Sequence, residues 1–170
     1  MLMKLLSKKT FLVLCLLLTG ITHSFADSKF FSFCFSEGSL EAGVSRCSND
    51  AYGEIVIPST VTKDEKTYTV TYIVYEAFHD KDGITSVIIP NTVKRINYGA
   101  FSFSDNLESV TLGEGLESID YEVFSYCRSL KEIILPKSLT KIGGNSFAGC
   151  TSLSSIQVDA ENPVFDSRDN

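Results

Sequence analysis

Chemistry in this chain has to come from few residues: a histidine at position 79, cysteines at 34, 47, 127 and 150, and short clusters of carboxylates. A hydrolytic relay places a histidine between a nucleophile and an orienting acid. His79 stands alone in this respect, since His23 falls in a leader segment and no G-x-S-x-G elbow, HExxH pair or phosphate-cradling glycine loop accompanies it. It reads as a loop histidine. Asp80-Lys81-Asp82-Gly83 opens like a calcium loop, but Ile84 occupies the fifth ligand position and the closing bidentate glutamate is missing, so the stretch reads as a polar turn. Glu114, Glu117, Asp120 and Glu122 make one segment acidic and read as a solvated surface. Cys127 and Cys150 lie 23 residues apart with no CxxC and no accompanying histidine. They fit small inward residues that satisfy backbone groups, with a disulfide or metal pair as the sharper alternative. No catalytic residue, cofactor site or metal site is expected.

The spacing of 23 that separates those cysteines runs through the chain. The stretch 84–106, ITSVIIPNTVKRINYGAFSFSDN, is restated without insertion: Ile84 returns as Leu107, Leu130 and Leu153, and Val87 as Val110, Ile133 and Ile156. Ile89 returns as Leu112, Leu135 and Val158, while Phe78, Phe101, Phe124 and Phe147 mark the end of each unit. A fixed period of this length is the signature of a solenoid and lies in the range of leucine-rich repeats. Within a unit, alternation such as Ser109-Val110-Thr111-Leu112 predicts a short strand with one buried face. Pro90, Gly113 or Pro136 then turns the chain, and Val93, Leu116 and Leu139 followed by Ile73, Ile96, Ile119 and Ile142 fill the back of the coil. The expectation is a mainly β solenoid with a one-sided parallel sheet, whose returns are irregular or contain a single helical turn near residues 98–102.

If Val87 and Ile89 point inward, their neighbours point outward. Stacking then sets Val56, Ile88, Thr111, Ile134 and Gln157 in one outward row, with Ser86, Ser109, Glu132 and Ser155 beside it. Three branched aliphatics in such a row suit a contact surface, and the β-propensity of branched residues on a solvent face is the other open reading.

The units LKEIILPKSLTKIGGNSFAGC and ITSVIIPNTVKRINYGAF carry more specific marks: an isoleucine-proline step, an "sxLtkIG" return and an AF-x-x-C ending. In these the chain from residue 53 onward resembles the BspA-like leucine-rich repeat family of bacterial surface and secreted proteins, which is also found in some protozoan parasites. The resemblance implies an adhesin-like or protein-interaction role outside the cytoplasm and names no ligand.

Residues 1–26 read as an export signal. Lys4, Lys8 and Lys9 precede an apolar run from Phe11 to Leu18, and Ser24-Phe25-Ala26 supplies small residues at a cleavage site. The run is shorter than the ~20 residues of a membrane span, so none is expected after cleavage. Residues 27–52 read as an N-terminal β cap: Phe30, Phe31, Phe33 and Phe35 form one strand and residues 40–47 another, with a turn between. Cys34 and Cys47 lie in these strands as a candidate disulfide. Strand facing is not readable from spacing, so a bridge and two free thiols both stay open. Residues 53–170 hold about four full units, the first expanded by a hairpin between Val61 and Ile73 and the last incomplete. From Asp159 the pattern departs into DAENPVFDSRDN, with no returning isoleucine, so an open end prone to self-association is expected.

With 170 residues, 44% of them hydrophobic, the chain can bury a substantial core. A net charge of −6 argues against nucleic-acid binding, which needs clustered Lys and Arg. Two function classes remain. One is a secreted or cell-surface binding module for a protein or other cell-surface macromolecule; the other is a non-catalytic N-terminal segment of a longer secreted multi-domain protein.

Overall fold

A phenylalanine repeated every 23 residues can be buried only if successive coils bring the rings together, and in the computed structural model, which describes residues 28–166, they form one column. Phe78, Phe101, Phe124 and Phe147 stack with centroid separations of 4.7, 5.4 and 5.7 Å and interplanar angles of 20°, 12° and 6°. The separations approach the ~4.8 Å spacing of neighbouring strands, so the backbone pitch and the ring stacking are compatible. The leader assigned to residues 1–26 lies outside the described residues.

After a 3-10 turn (Ser28–Phe30), the strands in chain order are β1 (Phe31–Phe35), β2 (Glu41–Cys47), β3 (Gly53–Val56), β4 (Thr60–Lys63), β5 (Lys66–Ile73) and β6 (Ile84–Ile88). They continue as β7 (Arg95–Ile96), β8 (Ser109–Thr111), β9 (Ser118–Ile119), β10 (Glu132–Leu135), β11 (Lys141–Ile142) and β12 (Ser155–Val158). Strands β3, β6, β8, β10 and β12 pair in parallel as the expected sheet. Inward residues Ile55, Val87, Val110, Ile133 and Leu135 are buried against the column. No helix among the described residues is long and apolar enough to cross a membrane.

Beside the expected sheet, the returns hold more regular structure than the sequence had suggested. The returns form a second parallel ladder through β2, β5, β7, β9 and β11, in which Tyr72 pairs with Arg95, Arg95 with Ser118 and Ser118 with Lys141. The returns β7, β9 and β11 have only two extended residues each, yet their backbone groups need partners, and the equivalent segment of the next coil lies in register to supply them.

The third side of each coil is a turn rather than a helix, and it too is bonded from coil to coil. Amides of Glu76, Phe78 and Asp80 donate to the carbonyls of Tyr98, Ala100 and Ser102, and those of Gly99, Phe101 and Phe103 donate to Tyr121, Val123 and Ser125. The next step, from Glu122, Phe124 and Tyr126 to Gly144, Ser146 and Ala148, repeats the pattern. Left-handed backbone at Glu76, Gly99, Glu122 and Asn145, and again at Asp80, Phe103, Tyr126 and Gly149, accompanies these bonds.

At the N-terminal end, β1 pairs antiparallel with β2, and Phe31 meets Phe78 edge-on at 5.9 Å, covering the first ring of the column. The register puts Cys34 opposite Gly43 and Cys47 opposite Phe31. Both thiols are free, so the bridge considered from the sequence is not formed. Cys34 lies instead 3.4 Å from the Tyr72 hydroxyl. The hairpin β4–β5 belongs to the second ladder, since β5 pairs with β2 on one side and β7 on the other.

At the other end the repeat continues with different residue types. Asn162 stands where Leu139 stood one unit earlier, and its carboxamide donates to the carbonyls of Pro136 and Leu139 at 2.9 and 3.0 Å. Phe165 takes the register of the returning isoleucines and packs half-buried on the core. This fold-back covers the last coil only in part. Phe147, Leu153 and Val158 are half-buried, and Ile156, the counterpart of buried Val87, is 43% exposed.

Burial in the column therefore falls toward the C-terminus. Phe101→Ala should cost about 3–5 kcal/mol in urea unfolding, and Phe147→Ala clearly less, because its ring is covered on one side only.

Candidate interaction surface

The outward rows of the first sheet assemble as the period requires. Val56 pairs with Ile88, Ile88 with Thr111, and Ile134 with Gln157; Glu132 opposite Ser109 brings Ile134 beside Thr111. The adjoining row runs Ser86, Ser109, Glu132 and Ser155 and begins at Glu54, whose carboxylate accepts the Ser86 hydroxyl at 3.4 Å. Glu54 was left out of the row read from the sequence, although the offset of 32 that sets Val56 beside Ile88 also sets Glu54 beside Ser86. Apolar exposure on this face is concentrated at Ile134, 56% exposed, while Val56 and Ile88 are half-buried.

A second surface, along the turns of the third side, was missed. Tyr75, Tyr98 and Tyr121 occupy one repeat position and are exposed, Tyr75 by 65% and Tyr121 by 61%. Phe103 and Tyr126 occupy another, each 43% exposed, and stack on one another at 4.8 Å. Both sit in left-handed backbone, φ 60° and 59°, a conformation costing a bulky residue about 1 kcal/mol or more. Gly149 holds the equivalent place in the last unit, and a side chain there would run into the Tyr126 ring at 2.6 Å.

The residues singled out for chemistry are spent on structure. His79 Nδ1 lies 2.8 Å from Ser102 Oγ, a contact the sequence did not reveal, but that hydroxyl donates to the Gly99 carbonyl. The serine thus accepts from the histidine, the reverse of nucleophile activation. Asp82 accepts the Asp105 amide at 3.0 Å, tying one coil to the next. Of the acidic group, Glu117 pairs with Lys94, Asp120 accepts the Tyr121 amide, and Glu122 accepts the Tyr98 hydroxyl at 3.0 Å, which raises the Tyr98 pKa. Cys127 and Cys150 donate to the carbonyls of Phe101 and Phe124, as Ser104 does to Phe78.

A family model described as BspA type leucine-rich repeat region matches residues 71–168 with 6 copies. Among solved structures, a leucine-rich repeat protein of Bacteroides capillosus is 28% identical with a TM-score of 0.70, the alignment covering 77% of this chain and 95% of that one. One from Bacteroides ovatus is 26% identical with a TM-score of 0.61, over 74% of this chain and 39% of that one. A leucine-rich repeat protein of T. pallidum, 24% identical with a TM-score of 0.60 over 76% of this chain and 69% of that one, shares the fold. No match is found among curated proteins.

Burial pushes the Cys127 thiol from its ordinary value of 9.0 up to about 12, with Cys150 adding to the rise, and burial takes Cys47 to about 11. A raised folded pKa means that the stabilising contribution is complete below about pH 9 and is lost as pH climbs through 11 and 12. Cys127→Ser should fold within ~1 kcal/mol of the parent, reproducing the Ser104 bond, and should lessen the loss of stability between pH 9 and 11. Cys127→Ala, which removes the bond to Phe101, should cost about 1 kcal/mol more than the serine variant in urea titrations.

Proposed function

The chain belongs to the BspA-type leucine-rich repeat family, and from that membership we propose that it is an exported, adhesin-like module that binds a protein or other cell-surface macromolecule through the outer surface of its solenoid. The observation that carries this reading is Ile134, a large aliphatic side chain more than half exposed on a strand whose inward residues, Ile133 and Leu135, are buried. Its row runs Val56, Ile88, Thr111, Ile134 and Gln157, with Ser86, Ser109, Glu132 and Ser155 in the next, so aliphatic and polar side chains share the face. Export is supported by the basic and apolar pattern of residues 1–26. Binding of this kind needs no reacting group, only a surface held rigid by stacking. Ile88→Glu combined with Ile134→Glu should abolish binding of the mature protein to extracellular matrix proteins or cell surfaces while moving the melting temperature little. Unaltered binding by that folded double variant would remove the sheet face from the reading.

Self-association through the C-terminal coil belongs to the same proposal. It is supported by the exposure of Ile156 in β12, the edge strand of the first sheet. Sedimentation should show a concentration-dependent dimer that Ile156→Lys returns to monomer; a monomer at every concentration would refute it.

A further inference from the structure

On the third side of the coils, Tyr75, Tyr98 and Tyr121 form a row that the sheet face does not include. The backbone holds it in register, because Glu76 donates to the Tyr98 carbonyl and Gly99 to that of Tyr121. Neighbouring coils are ~4.8 Å apart, so the three positions span ~10 Å, the length of about three residues of extended chain. Carboxylates flank the tyrosines along the chain: Glu76 follows Tyr75, Asp120 precedes Tyr121, and Glu122 follows it.

The treatment of aromatic rings elsewhere in this chain gives the chemistry of the occupant. Lys29 lies over Phe30, Lys63 over Phe35 and Arg95 over Tyr72, each at 4.7 Å from the ring centroid. Among the described residues, no cation is placed over Tyr75, Tyr98 or Tyr121. The charges follow the same division. Ion pairs join Lys94 to Glu117, Arg128 to Asp105, Lys131 to Glu108 and Lys137 to Glu161, and none of them reaches Glu76, Asp120 or Glu122. The row thus holds ring faces and negative charge without a cation among those contacts, in a protein of net charge −6. It is also organised in advance: the Tyr98 hydroxyl donates to Glu122 of the next coil at 3.0 Å, fixing a ring and a carboxylate relative to one another.

We infer that the row of Tyr75, Tyr98 and Tyr121, with the adjoining Glu76, Asp120 and Glu122, is a docking site for an extended, arginine- or lysine-bearing segment of a partner protein. A guanidinium or ammonium group gains both from a ring face and from an adjacent carboxylate, and cations at alternate residues of an extended segment, ~7 Å apart, fit within the row. Arginine is the better occupant, since its planar group stacks on a ring while its N–H groups reach a carboxylate. The site is separate from the sheet face, and either can exist without the other.

The test uses the full mature chain and a capped peptide alternating arginine with glycine, followed by calorimetry. Saturable binding is expected, weakening as salt rises, and a peptide with glutamate in place of arginine should not bind. Tyr98→Ala with Tyr121→Ala should weaken binding roughly tenfold, and Glu122→Gln roughly threefold. Tyr121→Phe, which keeps the ring, should bind as the parent does. Thermal unfolding of each variant establishes that the loss is not one of folding. Absence of binding to the arginine peptide, equal binding by the folded double alanine variant, or ring-dependent binding of a neutral oligosaccharide in its place would each overturn the inference.

Discussion

No single coil of this protein can bury its own phenylalanine. Phe101 and Phe124 each have one face on the coil before and one on the coil after, and the column from Phe78 to Phe147 is the constraint on which the rest of the molecule depends. The three bonded sides of the solenoid keep the coils at a pitch that lets the rings touch, and ring burial in turn holds the short ladders together. Strands of two residues such as Arg95–Ile96 could not persist alone; they do so because the same pairing is repeated beside them. The N-terminal hairpin follows from the same demand, since Phe31 closes the face that Phe78 would otherwise turn to water.

Rigidity of this kind bears on recognition. A side chain that projects from a bonded ladder has little freedom to lose, so Ile134 on the sheet and Tyr98 on the turn side are presented at small entropic cost. The two surfaces differ in chemistry: one is a small aliphatic patch with serines and glutamates around it, the other a row of rings with carboxylates. A family assignment does not distinguish between them. The placement of this chain's own cations does, because it covers some rings and leaves the row of tyrosines bare.

Much of the fold was legible because inward residues obey one period. Val87, Val110 and Ile133 could be placed on one buried line, and Ser86, Ser109 and Glu132 on the outward line beside it, from spacing alone. The turn side was not legible for a specific reason. The period marks Phe101 as the buried aromatic, but nothing in it shows that Phe103 and Tyr126 adopt the left-handed region and keep their rings at the surface. Tyr98 and Tyr121 therefore looked like ordinary return residues. The second ladder was hidden because a two-residue strand carries no alternation to detect. At the C-terminus the register persisted through a change of residue type: Asn162 replaces a leucine yet satisfies carbonyls with its amide, and Phe165 fills the place of an isoleucine.

Native-state amide hydrogen exchange tests most directly the claim that stacking of coil on coil carries the stability. The amides of Phe101 and Phe124, bonded to Val123 and Ser146 and flanked by buried rings on both sides, should exchange only through global unfolding. Amides of β12, in the coil covered on one side only, should exchange through local opening at rates at least tenfold higher. Equal protection from β8 to β12, or protection in β12 exceeding that of Phe101, would contradict the account.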